Sequence, residues 1–286
     1  MTQQPLDRAR LAALTVVTMI AFAANSWLCR LALSRTSIDA ATFTAVRLAC
    51  GAIMLSLLAS RDPTRAGKGG WWSAAALFGY AAAFSFAYRS LTAGTGALIL
   101  FGAVQATMIA WDWAHGSGAP RLMQMAGVAL ALAGLVGLVL PGLTAPPLVG
   151  SLLMAASGIA WGAYSLRGRG PGDPVRVNAG NFARAALLAL VLSAVTFSSA
   201  VFDTMGLVYA LISGAITSGI GYAIWYAVLP SLRPASAATI QLSVPLIAAV
   251  GGLFLLGESL SLRLVLAGAA ILGGIALVIR DKGRER

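Results

Sequence analysis

The chain has 286 residues, 59% of them apolar and 10% charged, which leaves too little polar surface to cover a soluble globule. Its net charge of +11 sits in short loops and tails without an aromatic stacking platform, so a nucleic-acid-binding module is excluded as the reading of that charge. One histidine and two scattered cysteines, with no paired acids and no HExxH, GxSxG or GxxxxGK[ST] motif, also leave little from which to build an enzyme.

Ten apolar segments follow one another, most of them near the ~20 residues that a spanning helix needs. They fall near 10–33, 38–60, 70–89, 93–113, 121–141, 147–167, 175–198, 204–229, 232–256 and 259–280. None alternates as a membrane barrel strand would. The predicted class is all-α integral membrane, with ten transmembrane helices and connections too short to hold a separate soluble domain. The first segment is too long for a signal-peptide core and is read as retained.

Taken in order, the first segment carries Asn25 and Trp27, and the second carries Arg47 in the run "FTAVRLACGAIMLSLLA". Arg47 lies about nine residues into its segment, which at ~1.5 Å per residue is ~14 Å deep in a ~30 Å hydrocarbon layer. Intramembrane charge is expensive, so it should face the protein interior and have a partner. On the third segment Tyr80, Phe84 and Tyr88 recur every four residues and share a face. The fourth offers Phe101 and Gln105 and ends near Asp112 in "WDW"; His115 is read as a loop residue. Trp161 and Tyr164 lie well inside the sixth segment, and Arg184 lies in the seventh. Tyr222 and Tyr226 share a face of the eighth. In the ninth, Pro245 follows Gln241 by four residues and frees the Gln241 carbonyl, with Ser243 between them. That opening either exposes an acceptor to a cavity or creates a kink, and the kink is slightly favoured. In the tenth, Ala269 and Gly273 at spacing four predict close helix contact. Cys29 and Cys50 are read as buried thiols in preference to a disulfide.

Basic residues set the orientation. With the N-terminus inside, the cytoplasmic side holds Arg8, Arg10, Arg61, Arg65, Lys68, Arg121, Arg167, Arg169, Arg176, Arg233, Arg280, Lys282, Arg284 and Arg286. The other side holds Arg30, Arg35, Arg89 and Arg263. Fourteen against four predicts that both termini are cytoplasmic.

The chain also repeats itself. "SLTAGTGALILFGAV" from Ser90 lies beside "SLRPASAATIQLSVP" from Ser231 at an offset that also aligns Gly116 with Gly257 and Ala126-Gly127 with Ala267-Gly268. "IAFAANS" from Ile20 matches "IAWGAYS" from Ile159, and Arg47 falls opposite Arg184. Five helices per half is an odd number, so the second half, 143–286, is predicted to run upside down relative to the first, 1–142. Inverted repeats are an architecture of alternating-access carriers.

These features resemble the drug/metabolite transporter superfamily, in particular its EamA-type exporters. The resemblance rests on two five-helix halves, an arginine in each second helix, and "GES" at Gly257–Ser259 before a Gly-rich last helix. Within that group the chain is most similar to the YddG-type aromatic amino acid exporters. One departure is that Ser117, in "GSG", stands opposite Glu258, where many relatives have a glutamate. No transport role is therefore assigned to that acidic position.

Two readings of Arg47 and Arg184 stay open: binding a substrate carboxylate, or clamping carbonyls at the end of a neighbouring helix. Their duplication favours the clamp, so both are grouped with Pro245 as structural. The acids all fall at helix ends, loops or tails, which disfavours proton-coupled exchange of bulky cations. The predicted substrate site comprises Trp161, Tyr80, Phe84, Tyr164, Phe101, Gln105, Asn25, Gln241 and Ser243, rings for a flat side chain with amides and a hydroxyl for its polar groups. The expected function is export of aromatic and other bulky apolar amino acids, or similar amphipathic metabolites, across the inner membrane. The alternatives are efflux of another substrate class and a channel. No cofactor or metal is expected; the partners are a small-molecule substrate and the lipid bilayer, with no nucleic acid, and the carrier is read as a monomer.

Overall fold

The computed structural model describes residues 7–62, 66–115, 121–142, 145–168, 172–232 and 234–282. Arg65, Ser117, Arg169, Arg233, Arg284 and Arg286 lie outside the described residues. All regular structure among the described residues is helical: α1 Arg8–Arg35, α2 Ala40–Ala59, α3 Trp71–Tyr88, α4 Ala93–His115, α5 Leu122–Val139, α6 Leu148–Arg167, α7 Pro174–Val195, α8 Thr204–Leu211, α9 Gly221–Val228, α10 Pro234–Gln241, α11 Ser243–Leu256 and α12 Leu262–Lys282. Among the described residues nine helical stretches are long and apolar enough to cross a membrane. The tenth, α3, has 18 residues, but two Trp, two Tyr and two Ser lower its mean hydropathy. The chain is a multi-pass all-α membrane protein. Ten crossings bring its two ends to one face, here termed the terminal face; the opposite one is the far face.

Two predicted helices are interrupted. The segment predicted over 204–229 is α8, a π-helical turn over 212–220 and α9. π-helical geometry is rare and concentrates at functional positions. The segment predicted over 232–256 breaks at Leu242 into α10 and α11, which places Pro245 in the first turn of α11, where its missing N–H is no loss. Helix starts follow local chemistry. Asp39 accepts from Ala41 and Thr42 N–H at the head of α2, Asp173 from Arg176 N–H at α7, and Asp203 from Gly206 N–H at α8. His115 is the last residue of α4 and not a loop residue, its ring stacked on Trp111 at 3.8 Å.

Packing pairs helices of the first half with those of the second. α2 lies along α7 and α5 along α12; α3 packs on α6, while α1 packs on α8, the π turn and α9. α4 packs on α6 and on α11, and α1 also packs on α11. The α5–α12 seam is close because Gly127 faces Gly274: a Cβ at Gly127 would stand 2.6 Å from the Gly274 carbonyl oxygen. The close contact predicted for Ala269 and Gly273 is therefore one position out of register, since both are exposed and Gly274 and Ala270 make it instead. Cys29 is buried, Cys50 half-buried, and both are free thiols.

Candidate functional site

A cavity of about 520 Å³ lies between α1, α3, α4, α6, α9 and α10. That volume falls within the usual ~300–1,000 Å³ of small-molecule sites. Trp161 is the hub of its wall. Its indole stacks on Tyr222 at 5.4 Å and on Tyr164 at 5.3 Å, and leans on Tyr80 at 4.7 Å. Phe22 meets Tyr222 and Trp225 edge-on, and Phe84 follows Tyr80. Polar atoms reach the space from Asn25, Ser26, Gln105, Ser165 and Gln241, and among the described residues no carboxylate lines it.

Eight of the nine sequence-predicted site residues line this cavity: Trp161, Tyr80, Phe84, Tyr164, Phe101, Gln105, Asn25 and Gln241. Ser243 does not; its hydroxyl donates to the Ile240 carbonyl and closes the break between α10 and α11. Tyr88 continues the Tyr80–Phe84 face as predicted, its ring 4.7 Å from that of Phe84, but it is fully buried outside the cavity wall and donates to the Ala93 carbonyl at the head of α4. Trp27 donates from Nε1 to the Ala248 carbonyl at 2.9 Å and packs against Gly251, wedging α1 to α11. Trp71, Trp72 and Trp111 are exposed, as interfacial rings would be.

Several lining residues escaped the sequence reading, among them Ser26 and Trp225. Trp225 was legible in principle, because it lies three residues from Tyr222 on one helix. Asn25 has a second function that its position alone could not reveal. Its Oδ1 accepts from Ser213, Thr217 and Ser218 at 2.8, 2.7 and 3.2 Å, gathering the hydroxyls of the π turn to the cavity edge. The signal was the hydroxyl- and glycine-rich stretch "SGAITSG".

The cavity reaches the terminal face, where Gly168, Leu229 and Leu232 line it beyond the ends of α6 and α9. α6 and α10 face one another there without close packing. The far face is closed. Glu258 accepts from Arg30 Nε at 3.2 Å and from the Ala93 N–H at 2.8 Å, at the head of α4. Arg30 Nη1 donates onward to the Tyr88 and Arg89 carbonyls. This network ties α1, the α3–α4 turn and the end of α11 together.

Comparison with known proteins accounts for this arrangement. The EamA-like transporter family model matches residues 148–280. An uncharacterised protein of Pseudomonas aeruginosa is 54% identical over 273 residues, 94% of each chain. This chain belongs to the EamA-like transporter family. A solved crystal structure shares its fold, with a TM-score of 0.64 and 18% identity over 95% of this chain and 98% of the other. As a member of that family within the drug/metabolite transporter superfamily, the protein is a membrane transporter of small molecules.

The two arginines of this EamA-like chain differ from the symmetric clamp predicted for them. Arg184 is a clamp: its Nη1 donates to the Lys68 and Gly180 carbonyls at 2.7 and 2.9 Å, holding the connection before α3. Arg176 does the same for the Ala59 and Asp62 carbonyls, Arg35 for Leu256 and Arg263 for Leu140. Arg47 grips no carbonyl among the described residues. Its Nη2 donates to Tyr80 Oη at 2.8 Å, and its Nη1 is buried without a partner. The capped helix starts explain the mismatch: Arg47 lies eight residues beyond Asp39, whereas Arg184 lies eleven beyond Asp173. Eight residues beyond Asp173 is Asn181, whose Nδ2 donates to the hydroxyl of another cavity ring, Tyr164.

Proposed function

We propose that this transporter exports aromatic and other bulky apolar amino acids, or similar small amphipathic metabolites, by alternating access across the inner membrane. The observation that carries the reading is the cavity wall: stacked Trp161, Tyr222 and Tyr164 with Tyr80, beside amides and with no carboxylate among the described lining residues. Flat rings suit a planar side chain, and the side-chain amides of Gln105 and Gln241, both on the cavity wall, suit its polar end. With no carboxylate among the described residues lining the cavity to alternate between proton and substrate, the solute runs down its own gradient. In this reading the halves 1–142 and 143–286 are inverted repeats, both termini are cytoplasmic, the carrier is a monomer, and the state seen is open to the cytoplasm. The exchange of helix pairings between the halves, α2 with α7 and α5 with α12, supports the first point. The basic residues of the terminal face support the second.

The test is counterflow in proteoliposomes with a panel of radiolabelled amino acids, with and without a pH gradient. Phenylalanine and tryptophan are expected to exchange well above alanine, unaffected by the gradient. Equal movement of alanine and phenylalanine, or movement only of unrelated drugs, would leave the transporter assignment and reject this substrate class.

A further inference from the structure

Arg47 is 1% exposed, and no ion pair reaches it among the described residues. Its hydrogen bonding there is a single donation to Tyr80 Oη, and Nη1 has no partner. A buried guanidinium normally finds a carboxylate or several carbonyls for its five N–H donors. Here ring faces take that place, with the cation 4.9 Å from the Phe84 centroid and 5.3 Å from that of Tyr80. Both rings belong to the cavity wall. An uncompensated positive charge therefore lies one ring's thickness behind the space a solute would occupy.

The hydroxyl between them sets the chemistry. Tyr80 Oη accepts from Arg47, so its own hydrogen is left to donate, and no other hydrogen bond takes it among the described residues. A hydroxyl that accepts from a cation is polarised into a stronger donor. Among the described residues no Lys or Arg lines the cavity to compete, and Arg184 is spent on the Lys68 and Gly180 carbonyls. The wall formed by the described residues thus presents one cation-backed donor and no anion.

We infer that Tyr80 Oη, backed by Arg47, is the subsite for a carboxylate of the transported solute, and that it selects carboxylate-bearing solutes over their amides. Tyr80 makes the contact, and Arg47 acts through it as a positioning residue. The inference rests on the proposed location of substrate in this cavity but does not depend on the solute being an amino acid.

The experiment measures competition in proteoliposomes by two matched pairs: phenylalanine against phenylalaninamide, and 3-phenylpropionate against 3-phenylpropanamide. The native protein is expected to favour the acid of each pair by ~10-fold or more, the scale of a hydrogen bond to a charged group. Tyr80→Phe, which keeps the ring, and Arg47→Met, which removes the charge, are each expected to bring the ratio close to one; Arg47→Lys is expected to retain part of it. Because each ratio is taken within one preparation, loss of folded protein cancels. Should neither neutralising variant fold, the native ratio decides. Transport of phenylalanine with no preference for acids overturns this inference and leaves the proposed function standing. A Tyr80-dependent preference for 3-phenylpropionate without phenylalanine transport supports the inference and rejects the amino acid reading. No movement of any of the four overturns both.

Discussion

Replacing Glu258 with alanine probes the closed far face most directly. The change removes an acceptor from the Ala93 N–H at the head of α4 and the partner of Arg30 Nε. Those side chains retain 12% and 20% of their exposure for Glu258 and Arg30, so solvent screening discounts the pair. Two charge-assisted hydrogen bonds, so discounted, are together worth ~2–3 kcal/mol. If the network exists only while the far face is closed, its loss shifts the balance toward far-face opening by ~30- to 150-fold, at tenfold per 1.4 kcal/mol. Ser26 lines the cavity and is buried in the state seen, so it reports on that opening. The assay labels Ser26→Cys, in a Cys29→Ala/Cys50→Ala background, with an impermeant maleimide applied at the far face. Labelling is expected to accelerate at least tenfold in Glu258→Ala. It should accelerate less in Glu258→Gln, whose amide oxygen still accepts from Ala93. Equal rates in all three proteins would mean that the far face is held shut by other contacts, such as Trp27 against Gly251.

Trp161→Ala is expected to weaken phenylalanine binding by ~1–3 kcal/mol, as read by competition counterflow. Because the indole also stacks on Tyr222 and Tyr164 and leans on Tyr80, the variant should lose thermal stability too, while Trp161→Phe keeps most of both properties. Asp39 carries a pH prediction. Burial works to raise its carboxyl, but hydrogen bonds from Thr42, Val201 and Ala41 together hold it below the usual carboxylate range. Its contribution is therefore fully present above about pH 4 and lost as pH falls through the lowered folded value. Asp39→Ala should cost ~1 kcal/mol at pH 7 as a lost N-cap and flatten the fall of thermal stability below pH 4. An unchanged acid slope would show that the cap carries no such linkage.

What the sequence determined by itself was everything that depends on local composition and period. Spans need only length and apolarity, so all ten were legible, and aspartates before α2, α7 and α8 marked starts that backbone donors require. The aromatic wall was legible as well, because rings three or four apart on one helix must share a face and, in an otherwise aliphatic bundle, concentrate where helices converge. Register and partner choice were not. Ala269 and Gly273 carry the same small-residue spacing as Ala270 and Gly274, and only the approach of α5 decides which pair meets a neighbour. The π turn turns three hydroxyls to Asn25, a partner far away in the chain that no window of local sequence contains. Arg47 and Arg184 look equivalent in a one-dimensional alignment, yet one turn of helix separates their places relative to their caps. A guanidinium takes whatever acceptor that rotation brings within reach: carbonyls at the terminal face for Arg184, a tyrosine at the cavity wall for Arg47.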